Sequence, residues 1–138
     1  MTWLDLADNP EAVKSTFETA PSLKNVEVFS VLIDREGPTI TVEIALNEAP
    51  SKPSPRWERI NANAVTLKLQ MLGVESVTLE GWATDNKATI DIHPGSSTKI
   101  EVCISGPTTQ FKCCCQWLHI AALSGYRKES HLPESSRG

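Results

Sequence analysis

The sequence lacks the signatures of membrane, secreted and nucleic-acid-binding proteins. No apolar run approaches the roughly 18 residues of a membrane-spanning helix, so we expect no membrane partner. The first residues, MTWLD, lack the basic start and the long apolar stretch of a signal peptide, and we expect a cytoplasmic protein. Acidic residues outnumber basic ones by 17 to 13, which argues against a nucleic-acid partner because phosphates bind basic surfaces.

Catalytic and cofactor motifs are also missing. The chain has no P-loop, no GxGxxG fingerprint and no nucleophile elbow, so we expect neither a cofactor nor catalysis. Three of its four cysteines are consecutive, which fits neither a disulfide framework nor a zinc site. We therefore expect no metal and interpret the cysteines as small buried hydrophobic residues. One alternative stays open, a cysteine-dependent enzyme that pairs Cys114 with His93 or His119.

What the sequence does contain is a repeated alternation of apolar and polar residues between Lys24 and Ile120. A period of two places the apolar side chains on one face of a strand and the polar ones on the other. Short turns separate the segments and no helices alternate with them, which favours antiparallel pairing. We predict a mainly β (α+β) fold, an antiparallel meander sheet of about seven strands, curled or partly closed, with one short N-terminal helix.

The alternation sets the predicted strand limits and faces. Strand two, which reads TITVEIAL, is the clearest and should bury its isoleucines, valine and leucine. In the last strand, Cys113, Cys115 and Trp117 fall on one face. The turn types favour hairpins, with turns predicted at 34–37, 85–87 and 94–97. The predicted strands are residues 26–33, 39–46, 65–71, 77–82, 88–93, 100–105 and 111–117.

Outside the strands, the chain predicts a helix, a loop and a tail. Asn9 has the side chain of an N-cap residue for a short N-terminal helix, and Pro21 should end that helix. Three prolines between residues 47 and 59 predict a long loop without regular structure, which Trp57 attaches to the body. The polar end of the chain predicts two units, a single β domain over 1–128 and a flexible tail over 129–138.

The polar positions of the predicted sheet suggest a surface for a protein partner. Neighbouring strands lie about 4.8 Å apart, so carboxylates on three successive strands would lie close together, although like charges destabilise a sheet. An aromatic side chain beside them would supply binding energy, while the carboxylates attract a basic partner. The alternative is an ordinary solvated face neutralised by interleaved lysines. The residues proposed for partner binding are Trp82, Glu80, Asp91, Glu101, Glu43 and Trp57.

Several short motifs, in order along the chain, resemble one known family. They include Asn9-Pro10, Leu32-Ile33-Asp34-Arg35-Glu36-Gly37-Pro38, Leu72-Gly73-Val74-Glu75 and Glu80-Gly81-Trp82. Together with the proline-rich loop ending in Trp57, they are similar to the immunity protein 50 family from about Trp3 to Tyr126. The run of three cysteines departs from what we associate with that family.

The resemblance implies a small, largely β protein encoded beside a toxin of a bacterial polymorphic toxin system. It would bind its cognate toxin domain stoichiometrically in the producing cell and block it without catalysis. The acidic balance suits a basic toxin such as a nuclease, whose phosphate substrate the carboxylates would mimic. The resemblance identifies neither the contact residues nor the oligomeric state.

One rival interpretation keeps the fold but changes the function. A curled meander can surround an apolar cavity, as in a lipocalin-like binder of small molecules. The inward side chains are mostly valine, isoleucine and leucine, and whether they fill the interior decides between the two.

Overall fold

The computed structural model describes residues 3–82, 87–95 and 99–127. The predicted tail at 129–138 and parts of the turns at 85–87 and 94–97 lie outside these residues. The mainly β fold is confirmed, with eight antiparallel strands where the sequence predicted about seven. They are β1 (Val26–Asp34), β2 (Thr39–Ala45), β3 (Ala64–Leu72), β4 (Ser76–Glu80), β5 (Lys87–Pro94), β6 (Ile100–Ser105), β7 (Gln110–Cys115) and β8 (Trp117–Tyr126).

The strands form one sheet in the order β4-β7-β6-β5-β1-β2-β3-β8. The predicted meander order holds for β1-β2-β3 and for β5-β6-β7, although the long segment 46–63 connects β2 with β3. It fails for β4, which pairs with β7, and for β8, which pairs with β3. The end strands β4 and β8 are not hydrogen-bonded to each other, so the sheet is not closed.

A bent two-stranded ribbon connects the two halves of the sheet. One of its strands is β3 continued by β4, and the other is β7 continued by β8, with pairing from Ala64–Tyr126 to Glu80–Gln110. At the bend, Gln116 N–H donates to Leu72 O (3.0 Å) and Glu75 N–H donates to Cys114 O (2.8 Å). The ribbon therefore belongs to both halves, β1-β2-β3-β8 and β5-β6-β7-β4.

Side chains around Glu75 reinforce the bend. Its carboxylate accepts a hydrogen bond from the Gln116 amide and forms an ion pair with Lys99. The Lys99 ammonium holds the pKa of Glu75 below its usual value, and Glu75 raises the pKa of Lys99. Gly73 lies in the bend with φ +65°, a conformation that a side chain would strain.

The inward side chains of both halves form a single hydrophobic core. The prediction that alternate residues of β2 are buried is confirmed, because Ile40, Val42, Ile44 and Leu46 are each at most 5% exposed. All of them belong to one continuous cluster that takes members from both halves, from the N-terminal segment and from Phe17. Side chains thus occupy the interior, where a lipocalin-like barrel would hold its ligand.

Two predictions about the segments outside the sheet were wrong. Helix α1 (Glu11–Thr16) begins after Pro10 without a side-chain cap, and it ends where Phe17 turns to extended backbone, before Pro21. The proline-rich segment contains a second helix, α2 (Pro55–Arg59). Pro55 suits the first position of a helix, and the Ser54 hydroxyl accepts the Trp57 N–H, so the segment carries its own start signal.

The predicted face of Trp117 was also wrong. Phe111, Cys113 and Cys115 point inward as expected, but the bend at Gln116 interrupts the alternation. After the bend Leu118 and Ile120 are the buried residues, and Trp117 is 57% exposed. The chain that was predicted to end its last strand near Trp117 continues as β8 to Tyr126.

The N-terminal segment covers part of the outer edge of β8. Trp3–Leu6 forms a short 3-10 helix, and Ala7 then forms a β-bridge with Leu118. The Asn9 side chain donates to Ile120 O (2.9 Å) and accepts from Ile120 N–H (2.8 Å). Asn9 therefore holds the N-terminal segment against β8 and does not cap the helix.

No helix in the described part of the chain is long and apolar enough to cross a membrane.

Replacing Asn9 by alanine should destabilise the fold. The change leaves both polar backbone groups of Ile120 without a partner at a half-buried site, and we expect a loss of about 1–3 kcal/mol in the free energy of unfolding. Urea denaturation measures the loss. Ser15→Ala, which removes an exposed hydroxyl bonded to Glu11 O, is the control and should change stability little. Equal stability of Asn9→Ala and wild type would show that the two hydrogen bonds between Asn9 and Ile120 contribute nothing to the free energy of unfolding.

Candidate partner-binding surface

The outer face of β5 and β6 brings two of the predicted carboxylates together. His93 Nε2 lies 3.0 Å from Glu101 Oε1, and His93 Nδ1 lies 3.6 Å from Asp91 Oδ2. Asp91 is well exposed, whereas Glu101 is half-buried. The histidine between them was not part of the predicted surface, although its place at i+2 from Asp91 on a strand puts it on the same face.

Glu80 shares this face but lies farther away than predicted. The prediction that Glu80, Asp91 and Glu101 occupy successive strands was wrong, because β7 and β6 lie between β4 and β5. Three strand spacings amount to roughly 14 Å. The space between is a shallow groove of about 300 Å³ whose lining includes Glu80, Cys103 and Lys112. We call the outer surface of these four strands, with Glu80, Asp91 and Glu101, the acidic face.

The other predicted residues do not belong to the four strands of the acidic face. Glu43 is on β2, in the other half of the sheet, opposite Lys68 of β3. Trp82 is 43% exposed but does not continue the alternation of β4, because the strand ends at Glu80 and Gly81 turns the chain with φ +73°. A Cβ at Gly81 would lie 1.8 Å from Thr108 O, so only glycine fits there.

Trp57 has a packing contact that accounts for its position. Its half-buried indole covers Gly125 of β8, where an added Cβ would come within 2.5 Å of the ring. The ring also packs against the hydrophobic core. The expectation that Trp57 attaches the proline-rich segment to the body agrees with this contact.

A second surface, which the sequence did not predict, lies between β1 and β4. The first strand pairs with β5 only at Val26 and Glu27, and in the described part of the chain no strand pairs with that edge beyond Glu27. A cleft of about 340 Å³ opens between the end of β1 and the start of β4, and we call it the β1–β4 cleft. Its apolar lining includes Ile33, Ile40, Val74 and Val77.

Large apolar side chains are exposed along this edge. Phe29 is 47%, Leu32 62% and Ile33 54% exposed, and Leu79 is exposed on the facing strand. A β-bulge between Val28 and Ser30 shifts the pairing of β1 with β2. The sequence signal was the run VFSVLI at 28–33, which lacks the polar alternation of the neighbouring strands.

The cysteines do not form a nucleophile–base pair with either histidine. Cys114 lies two strands from His93, and Glu101, which lies between them, is the partner of His93 Nε2. His119 is bonded instead to Asp8 (2.9 Å). Cys113 and Cys115 are fully buried, as expected of small hydrophobic residues, whereas Cys103 and Cys114 are half-buried. No group of three or more metal-ligating side chains occurs in the described part.

The pKa of two cysteine thiols, Cys103 and Cys113, is raised, whereas a hydrogen bond from Cys113 lowers the pKa of Cys115, which is itself fully buried. Burial raises the pKa of Cys103, and the nearby Lys112 opposes this only in part. A hydrogen bond with Cys115, together with burial, raises the pKa of Cys113. A nucleophilic cysteine requires a lowered pKa, because the thiolate is the reactive form, and neither Cys103 nor Cys113 has one. Cys115 is fully buried and has no access to a substrate.

These features define a class of protein: a small antiparallel β fold with a filled core, an acidic face and an unpaired apolar edge. The family model for immunity protein 50 matches residues 9–126. The chain therefore belongs to the immunity protein 50 family, and the resemblance noted from the sequence is confirmed. No curated protein and no solved structure matches the chain significantly.

The raised pKa of Cys103 predicts a slow reaction with iodoacetamide. At pH 8 a smaller thiolate fraction than in free cysteine should make alkylation of Cys103 slower than that of glutathione, and mass spectrometry after timed quenching gives the rate. Cys113 and Cys115 should react only after unfolding in urea, which serves as the control. Alkylation of any cysteine faster than glutathione would restore the enzyme alternative.

Proposed function

We propose that this protein is an immunity protein that binds one cognate toxin domain of a bacterial polymorphic toxin system. Binding takes place in the cytoplasm of the producing cell and blocks the toxin without catalytic turnover. The observation that carries the proposal is membership of the immunity protein 50 family across 9–126. An inhibitor of this kind needs an exposed binding surface and no reaction centre.

The structure supports a protein partner over a small molecule. The inward side chains of both halves form one continuous core, whereas a lipocalin-like binder requires an internal cavity. Most of the exposed large apolar side chains lie on β1, β4 and the segment after β4, and the exceptions are Ile60 and Trp117. Exposed apolar patches bordered by charge are typical of protein interfaces.

We further propose that the acidic face and Trp82 contact the toxin. Trp82 follows Glu80 closely in the chain, and tryptophan is enriched among the residues that dominate binding energy. Carboxylates on the acidic face would attract a basic toxin surface during the encounter. A basic nuclease is the toxin class that suits this charge, and Glu43 and Trp57, which lie elsewhere, would contribute less.

The direct test uses the product of the gene adjacent to the one encoding this protein. Purified toxin domain is mixed with this protein, and affinity and stoichiometry are measured by calorimetry. In parallel, cells that express the toxin domain are scored for survival with and without this protein. One-to-one binding together with rescue supports the proposal. A folded protein that neither binds nor rescues contradicts it.

Replacing Trp82 by alanine should weaken toxin binding by about 2 kcal/mol or more, because an aromatic anchor is lost. The melting temperature should stay nearly unchanged, since the side chain is 43% exposed. Trp117→Ala is the matched control, because Trp117 is 57% exposed on β8, in the other half of the sheet. If Trp82→Ala mainly lowers the melting temperature, the indole is a packing residue and not an anchor.

Neutralising the acidic face should slow association. The double variant Glu80→Gln/Asp91→Asn removes two exposed carboxylates, and we expect roughly tenfold slower association at low salt in stopped-flow fluorescence. Added salt should slow the wild type toward the rate of the variant. Glu11→Gln/Glu58→Gln, with the same charge change on the two helices, should associate at the wild-type rate. Identical rates for both double variants would rule out steering by this face.

A further inference from the structure

We propose that the free edge of β1, from Val28 to Asp34, binds an extended strand of the toxin domain by β-strand addition. The inference rests on the proposed function and names the part of the toxin that is recognised. The incoming strand would lengthen the sheet at β1 and place alternate side chains in the β1–β4 cleft.

The backbone of β1 supplies the first argument. On one side β1 is paired with β2 from Glu27 to Asp34, but on the other side its pairing with β5 ends at Glu27. Within an antiparallel strand, alternate residues direct their N–H and C=O groups to opposite sides. The described part of the chain pairs no strand with the far side of Val28–Asp34, so this side offers hydrogen-bonding groups in strand geometry. Another strand is the ligand that matches them.

The side chains of this edge lack the usual protection against pairing. Residues 28–33, VFSVLI, contain no charge, no proline and no glycine, a composition typical of segments that add strands. The other two outer edges differ. The N-terminal segment with Asn9 covers part of the β8 edge, and β4 has only five residues and ends in Glu80. In the part of the chain that the structure describes, the most apolar of the three edges therefore has neither a covering segment nor charged residues within 28–33.

The β1–β4 cleft gives the incoming strand a place for its side chains. Ile33 and Ile40 form one wall and Val77 the other, and Val74 N–H donates to Pro38 O (3.1 Å) across the closed end. A cleft of about 340 Å³ accommodates a few apolar side chains. Alternation on a strand would direct every second residue of the partner into it.

Charge distinguishes a toxin strand from a second copy of this chain. Asp34, Glu75 and Arg35 line the cleft, and Glu36 follows in the turn after β1. The described part of the chain provides neither Asp34 nor Glu36 with an ion-pair partner. A two-fold dimer through this edge would bring the same acidic residues of two chains together, and each chain has a net charge of −4. An apolar strand flanked by lysine or arginine meets complementary charge instead.

The test compares two isoleucine-to-lysine variants in binding to the toxin domain encoded by the adjacent gene. Ile33→Lys places a charge on the β1 edge, and Ile60→Lys makes the same change after α2; the side chains are 54% and 46% exposed. We expect Ile33→Lys to weaken the Kd at least tenfold, while Ile60→Lys keeps wild-type affinity. Urea denaturation checks that both variants fold, and Leu32→Lys replaces Ile33→Lys if the latter does not.

Hydrogen exchange of the wild-type complex tests the backbone pairing itself. Amides of 28–34 that face away from β2 should exchange at least tenfold more slowly in the complex, because the partner strand accepts their hydrogens. Protection confined to 87–95, with Ile33→Lys binding normally, would overturn strand addition but leave the immunity function intact. No binding by the wild type would instead overturn the function. A free protein that is a dimer, and that Ile33→Lys makes monomeric, would assign the edge to a second copy.

Discussion

The structure depends on the bent ribbon in which β3 and β4 pair with β7 and β8 along their whole length. Without it the chain would form two small sheets, neither of which could bury an apolar face alone. The bend turns one half over the other, so that side chains such as Leu67 and Val102 join one core. Glu75, Gln116 and Lys99 hold the corner through polar contacts at the surface.

The same ribbon explains where the sheet stays open. In the ribbon, β4 continues β3 in one strand and β8 continues β7 in the other. The outer edges of β4 and β8 therefore lie on opposite sides of the ribbon and cannot meet. At the opposite corner β1 meets β5 over only two residue pairs before the strands separate. Among the described residues, the separation leaves the side of Val28–Asp34 that faces away from β2 without a paired strand, and the β1–β4 cleft opens beside it. The opening is thus a consequence of the topology that makes the core.

Local patterns predicted the strands but not their partners. Alternation in TITVEIAL identified β2 and its buried face, because burial on one face imposes a period of two. The pairing of β4 with β7 has no local signature, so Glu80 was placed beside Asp91 in error. The buried positions change from Cys115 to Leu118, and the sequence shows this change only as a break in the apolar–polar alternation at Gln116. The apolar edge of β1 was missed because partner surfaces weaken the alternation on which strand prediction relies.

A protein that needed only stability would not keep the β1 edge as it is. A lysine in place of Leu32 or Ile33 would cost little, because both side chains are more than half exposed, and it would protect the edge from aggregation. The N-terminal segment shows that the chain can cover an edge, since Ala7 and Asn9 do so on β8. An unprotected apolar edge beside acidic residues is therefore better explained by a partner than by folding. The toxin domain of the proposed function is a partner of this kind.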